Sequence, residues 1–255
     1  MRFGVCAYID EILTVKKVGY DFLETSLSNI MSMTDEEFEK AKEKVISSGL
    51  KVEAFNGFFP GDMPILDDDA VEKVREYTAK ALKRAVELGG EIAVMGSGAA
   101  RRRPDDMDID TFNIKFERLL KLLAQEAVTA GITVVVEPLS QGDTNTVNTI
   151  RDAMPWVKKI NHPNLKVLAD TYHMHKNQED FKEIENTEGL LSHVHISRGD
   201  RGVPGLENCE SFKPLVEVLK KINYNSRVSI EAMYKDFEKE IIEAYQFFDV
   251  FRNEE

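Results

Sequence analysis

The 255-residue chain has little of what marks a secreted, membrane-bound or nucleic-acid-binding protein. Its two cysteines, Cys6 and Cys209, form no spacing motif, which suits packing residues in a reducing cytoplasm. No apolar run approaches the ~18 residues of a membrane span. The opening stretch "MRFGVCAYID" lacks an apolar segment of signal-peptide length, so a cytoplasmic location is expected. Positive charge is scarce: 33 Lys and Arg against 45 Asp and Glu leave a net charge of −12, with a pI near 5.0. That balance attracts neither nucleic acid nor an anionic membrane, and neither is expected as a partner. No linker or low-complexity stretch divides the chain, so residues 1–255 read as one domain.

What is present is an alternation. Strand-like runs occur at 2–8, 21–26, 51–55, 91–96, 132–138, 166–170, 192–197 and 227–233, each followed by a helical stretch. Glycine-containing or Asn-rich turns of the kind that end helices ("VGY", "SGL", "LGG", "AGI", "NYNS") lead into five of them. Thr34 to Glu37 has capping-box spacing, with Gly49 as the stop. The stretch "DDDAVEKVREYTAKALKRAVELGG" places acids where the positive end of a helix dipole would lie. Eight strands alternating with about eight helices imply a mostly parallel sheet with helices outside. An open doubly wound sheet usually carries a glycine-rich phosphate loop after its first strand, and "CAYIDEILTV" has none. The count of eight favours a single α/β (β/α)8 TIM barrel.

The segment "VVVEPL" (134–139) then poses a problem. Three β-branched residues mark a buried strand, yet it delivers Glu137 at its end, and a carboxylate is rarely buried without a partner. The last four strands end on Glu137, Asp170, His195 and Glu231, so these groups converge on one part of the barrel mouth. Any one of them alone could be a helix cap or a surface charge. Together, three carboxylates repel unless a divalent cation joins them. The hard-oxygen set with one nitrogen suits octahedral Mn²⁺, Mg²⁺ or Co²⁺ better than a structural zinc site. Two open positions would take neighbouring oxygens of a small polyol, and Glu137 and Glu231 would move a proton on either side of it. His193, two residues before His195, shares its face one layer deeper and reads as a packed, hydrogen-bonded core residue.

The motifs "VEPLSQGDTNTVNT", "ADTYHMH", "HVHISRGDRGVPG" and "SIEAM" resemble the xylose isomerase-like barrel family of sugar phosphate isomerases and epimerases. Within it, the D-tagatose/D-psicose 3-epimerase branch is the nearest in pattern. The resemblance implies one bound divalent ion, manganese first, with magnesium, cobalt or zinc as alternatives. Glu137, Asp170, His195 and Glu231 would be its ligands, and Glu137 and Glu231 the acid/base pair of a ketose epimerisation through an enediolate. His173 and Arg201 would hold substrate oxygens. The branch carries Asn-Arg and then a substrate-binding glutamate after its Glu-Pro-Leu; this chain has Ser140, Gln141 and the shorter Asp143. Tyr8 and the "FNGFFPG" loop (55–61) would cover the substrate in place of the family's aromatic lid. Trp156, the single tryptophan, falls in the helix after strand five.

Three arginines, Arg101 to Arg103, follow strand four. They read either as a phosphate or carboxylate site or as an exposed tip paired with Asp105 and Asp106. Phosphorylation of the substrate therefore stays open, as does a homo-oligomer. Competing functions on the same barrel are a keto-inositol dehydratase, a DNA-repair endonuclease-like phosphodiesterase, and a sugar-binding protein without catalysis. Five histidines and a pI near 5.0 speak against the phosphodiesterase.

Overall fold

The structure, a computed structural model, describes residues 1–252; the expected domain boundary at 255 lies outside them. Eight strands form: β1 (Arg2–Cys6), β2 (Phe22–Ser26), β3 (Val52–Asn56), β4 (Ile92–Met95), β5 (Thr133–Val136), β6 (Leu165–Asp170), β7 (Leu191–Ile196) and β8 (Arg227–Ile230). Each pairs in parallel with the next, and β1 pairs with β8, so the sheet closes as a barrel. All eight strand-like runs are strands, several of them shorter than their apolar runs. β5 and β8 stop at Val136 and Ile230, which places Glu137 and Glu231 one residue beyond the sheet. Asp170 closes β6, and His195 still pairs within β7.

Two-residue alternation divides each strand between the barrel interior and the surrounding helices. Phe22, Ala54, Ile92, Val94, Val135 and Leu168 pack against one another as a small cluster of their own. A larger core of aliphatic and aromatic residues, among them Phe116, Leu120 and Leu215, packs the helices around it. Burying each large apolar side chain contributes roughly 1.5–3 kcal/mol. The next inward position after the small cluster brings Glu24, Asn56, Glu137 and Asp170 to the mouth.

Helix signals mostly hold. In the capping box the Thr34 hydroxyl accepts from the Glu37 amide at 3.2 Å, and the Glu37 carboxylate accepts from the Thr34 amide at 2.8 Å. Gly49 ends that helix (Asp35–Ser48) at φ +69°, where a Cβ is strained. The acids of "DDD" do not cap their helix, which begins at Val71 with no side-chain cap. Asp68 instead bridges Lys115 (2.8 Å) and Arg118 (2.6 Å) on the following helix, Ile109–Ala130. Two cations reward that carboxylate more than one helix end. Among the described residues no helix is long and apolar enough to cross a membrane.

Candidate active site

Glu137, Asp170, His195 and Glu231 each offer a donor atom, and these atoms lie within 4.8 Å of one another. His195 Nδ1 lies 3.2 Å from Glu137 Oε1 and 3.4 Å from Glu231 Oε2. Asp170 Oδ1 accepts from the Tyr172 amide at 2.7 Å and so starts the short helix Thr171–Lys176. Its other oxygen, Oδ2, is buried and has no hydrogen-bond partner. Such an orphan needs an explanation, because an unmet buried acceptor costs about 1–3 kcal/mol.

The electrostatics show the same imbalance. Burial pushes the Asp170 carboxyl well above its ordinary range, and the charges of Glu231 and Glu137 push it further. Burial would also raise Glu231, yet His195 and Arg201 bring it down to about 2. His195 is pushed well up: burial opposes its charge, but Glu24 and Glu231 outweigh it. A divalent cation among the four donors would pair with the orphan oxygen and offset the crowded negative charge. The donor set fits such an ion.

A supporting layer stands behind these groups. Glu24, in the middle of β2, is fully buried and bridges two imidazoles: Oε1 faces His195 Nε2 at 2.8 Å and Oε2 faces His193 Nε2 at 2.7 Å. It therefore fixes His195 with a proton on Nε2, leaving Nδ1 turned to the carboxylates. Burial alone would raise the Glu24 carboxyl, but the two histidines hold it well below the usual range. His193 is buried and hydrogen-bonded, as its spacing implied. Asn56, ending β3, donates to Glu231 Oε1 at 3.0 Å. Sequence reasoning missed Glu24 and Asn56. For Glu24 the available signal was an acid two residues after Phe22 on one strand face; Asn56 carries none, since asparagine also closes strands as a turn residue.

The comparisons match this architecture. Residues 12–249 match the family model described as xylose isomerase-like TIM barrel. The chain belongs to that family. A ketose 3-epimerase of Arthrobacter globiformis is 28% identical over 224 residues, 85% of this chain and 74% of the relative. A 3-dehydro-D-guloside 4-epimerase of Escherichia coli is 24% identical over 88% of this chain and 86% of its own length. In fold, the chain is similar to the D-psicose 3-epimerase of Clostridium cellulolyticum solved with D-tagatose, at TM-score 0.82 and 21% identity over 99% of both chains.

The remaining expected residues divide between the cavity beside the four donors and other places. A cavity of about 410 Å³ is lined by Asn56, Gly96, Glu137, Asp143, His173, Arg201 and Glu231, among others. Arg201 donates to Glu231 Oε2 at 2.6 Å and stacks over the Tyr172 ring at 4.5 Å. His173 Nδ1 accepts from the Ser140 amide at 3.0 Å, so the proton sits on Nε2, which faces Asp170 Oδ2 at 3.6 Å. Burial lowers the His173 imidazole and keeps it neutral. Asp143 accepts from the Ser140 hydroxyl, and its Oδ2 lies 3.6 Å from His173 Nδ1.

Tyr8 does not line this cavity; it is 69% exposed on a neighbouring hollow. Of the "FNGFFPG" loop, Asn56 and Gly57 line the cavity, while Phe58 and Phe59 are buried in the core, their ring centroids 4.6 Å apart. Neither reading of the three arginines stands for Arg101. It is fully buried, and its guanidinium donates to the carbonyls of Glu137 (2.8 Å) and Val147 (3.3 Å). Burial brings it down to about 10 against the opposing pull of the Glu137 charge. Arg102 and Arg103 donate to the carbonyls of Gly142 and Met107, not to Asp105 or Asp106.

Proposed function

We propose that the chain is a divalent-metal-dependent sugar epimerase or isomerase acting on an unphosphorylated ketose or related hydroxy-carbonyl sugar. The observation that carries this reading is the orphaned, buried Oδ2 of Asp170 among four convergent donors. Glu137, Asp170, His195 and Glu231 would hold one ion, manganese by preference, with magnesium, cobalt or zinc as substitutes. When bound, that ion supplies Lewis acidity to a carbonyl and its adjacent hydroxyl. Glu137 and Glu231 come from β5 and β8 and approach the cavity from two sides, one removing a proton and the other returning one. His173 Nε2–H and Arg201 donate to substrate oxygens and fix which carbon faces the carboxylates.

The relatives' names, a ketose 3-epimerase and a 3-dehydro-D-guloside 4-epimerase among them, support the same class. The cavity's one lining cation, Arg201, is already paired with Glu231, which favours a neutral sugar over a phosphate ester. A multi-metal phosphodiesterase centre rich in histidine does not match a donor set with one histidine.

The test is incubation with Mn²⁺ and a panel of ketoses in D₂O, read by NMR. Deuterium is expected at a single carbon next to the carbonyl, with a new epimer or isomer appearing. Glu137→Gln and Glu231→Gln should each lower turnover by about 10²–10⁴-fold while circular dichroism stays unchanged. Full turnover in either variant would end the acid/base assignment.

A further inference from the structure

We propose that Arg101 is a positioning residue for Glu137: its buried guanidinium holds the main chain around that residue and so sets where the carboxylate meets metal and substrate. The inference rests on the epimerase reading for the role of Glu137, and on the loops after β4 and β5 for its geometry. Glu137 stands one residue beyond β5, and Pro138 behind it has no amide to donate. What the neighbouring strand still supplies is the Met95 carbonyl, which accepts from the Glu137 amide at 3.3 Å. Arg101 adds the rest. Its Nη2 donates to the Glu137 carbonyl at 2.8 Å, and its Nη1 lies 3.5 Å from that same Met95 carbonyl. One planar group thus spans the Glu137 carbonyl and the acceptor of the Glu137 amide, a geometry that a lysine ammonium cannot copy.

Two separate observations show how much is invested in this clamp. Val147 sits at φ +51°, a left-handed conformation that is costly for a β-branched residue. Its carbonyl accepts from the Leu139 amide at 3.2 Å and from Arg101 Nη2 at 3.3 Å, so the strained turn is held against the chain that carries Glu137. Arg101 is also fully buried with its Nε unpartnered, and its guanidinium partners are main-chain carbonyls. An apolar side chain would fill the same space without desolvating a charge. What the guanidinium provides in exchange is the tie between the loops. The rest of the arginine run closes the seam: the Thr146 hydroxyl donates to the Arg101 carbonyl (3.3 Å), Arg102 to the Gly142 carbonyl (3.3 Å), and the Asn145 side chain bonds both the amide and the carbonyl of Arg103 (2.9 Å each).

The test compares two variants that keep the charge. Arg101→Lys loses the planar fork. Arg84→Lys makes the same change at a buried arginine that binds the carbonyls of Ile30 and Met33 and the Asp35 carboxylate, none of which lines the carboxylate cavity. Both variants should melt below wild type. Only Arg101→Lys should lower Mn²⁺ affinity, read by calorimetric titration, by about tenfold or more, as when the support of a metal ligand is disturbed. With Mn²⁺ saturating, its kcat for deuterium entry into the ketose panel should fall by about 10²-fold while KM stays close to wild type, as expected of a misplaced reacting group. Equal loss of Mn²⁺ affinity in both variants, or none in Arg101→Lys, overturns the proposal. If Arg101→Lys does not fold, Asn145→Ala decides: Asn145 is exposed, and losing its two bonds should lower Mn²⁺ affinity with circular dichroism unchanged. Unaltered affinity in that variant overturns the proposal as well. A wild type that binds Mn²⁺ but moves no deuterium into the ketoses removes the epimerase reading, and the affinity comparison still decides the role of Arg101.

Discussion

A methyl group on Gly96 would collide with the Glu137 carboxylate. The turn after β4 is therefore glycine because a side chain of the neighbouring strand occupies the space where a Cβ would stand. Gly96→Ala should displace that carboxylate while leaving the barrel core intact. We expect Mn²⁺ affinity, measured by calorimetric titration, to fall by about tenfold or more, as when the support of a metal ligand is disturbed, with a melting temperature close to wild type. Unchanged affinity would mean that Glu137 moves aside freely. In the sequence "GSGAARRRP" this role was illegible. A glycine-rich turn followed by arginines reads as an anion site, and the true partners of Arg101 are main-chain carbonyls, which leave no trace in residue identity. A buried guanidinium without a carboxylate is expensive, and the nearby charge of Glu137 offsets part of that cost.

At the level of elements, a strand's period of two explains what could be read in advance. Asp170 and His195 end or nearly end their strands, and Glu137 and Glu231 follow theirs by one residue, so all four stood out as polar groups closing apolar runs. Glu24 sits inside β2, with Thr25 and Ser26 still in the strand after it, so it closes no apolar run and was passed over; "FLETS" also offers neither a proline nor a histidine to single it out. Its carboxylate accepts from two imidazoles at once, something an amide cannot do, since the amide nitrogen would meet an N–H. Glu24→Gln should therefore cost about 1–3 kcal/mol of stability and lower Mn²⁺ affinity by about 10–100-fold. Denaturant melts and calorimetry separate the two effects. Wild-type affinity in a destabilised Glu24→Gln protein would make Glu24 a core brace and nothing more.

For the whole molecule, the eightfold alternation made the barrel legible, while the pairing of β1 with β8 that closes it has no local signature and follows from the strand count. The two ends of the barrel then divide the work. At the strand starts Glu53 pairs with Arg2 (2.5 Å) and Arg227 (2.7 Å), an ion network far from the mouth. At the strand ends, loops must be tied to one another for four separate side chains to meet. Asn177 supplies one tie, donating to the carbonyls of Leu139 (3.2 Å) and Asn148 (2.6 Å).

Glu179 supplies the next: its Oε1 accepts from the Ile150 amide at 2.8 Å, while its Oε2 is buried without a partner. Burial raises this carboxyl to about 7; the Ile150 amide and Arg151 oppose the rise, and Glu183 and Asp152 add to it. In the unfolded chain it titrates near the ordinary glutamate value of about 4.3. Between those two values the folded form holds a proton that the unfolded form has lost, so stability contributed by this group declines as pH rises through the window. Glu179→Gln removes that dependence. Melting curves of the two proteins should nearly coincide at about pH 4 and separate towards about pH 8, with the variant the more stable. A gap that stayed constant across the range would show that Glu179 titrates alike in the folded and unfolded protein, its folded charge carried by the helix start at Ile150.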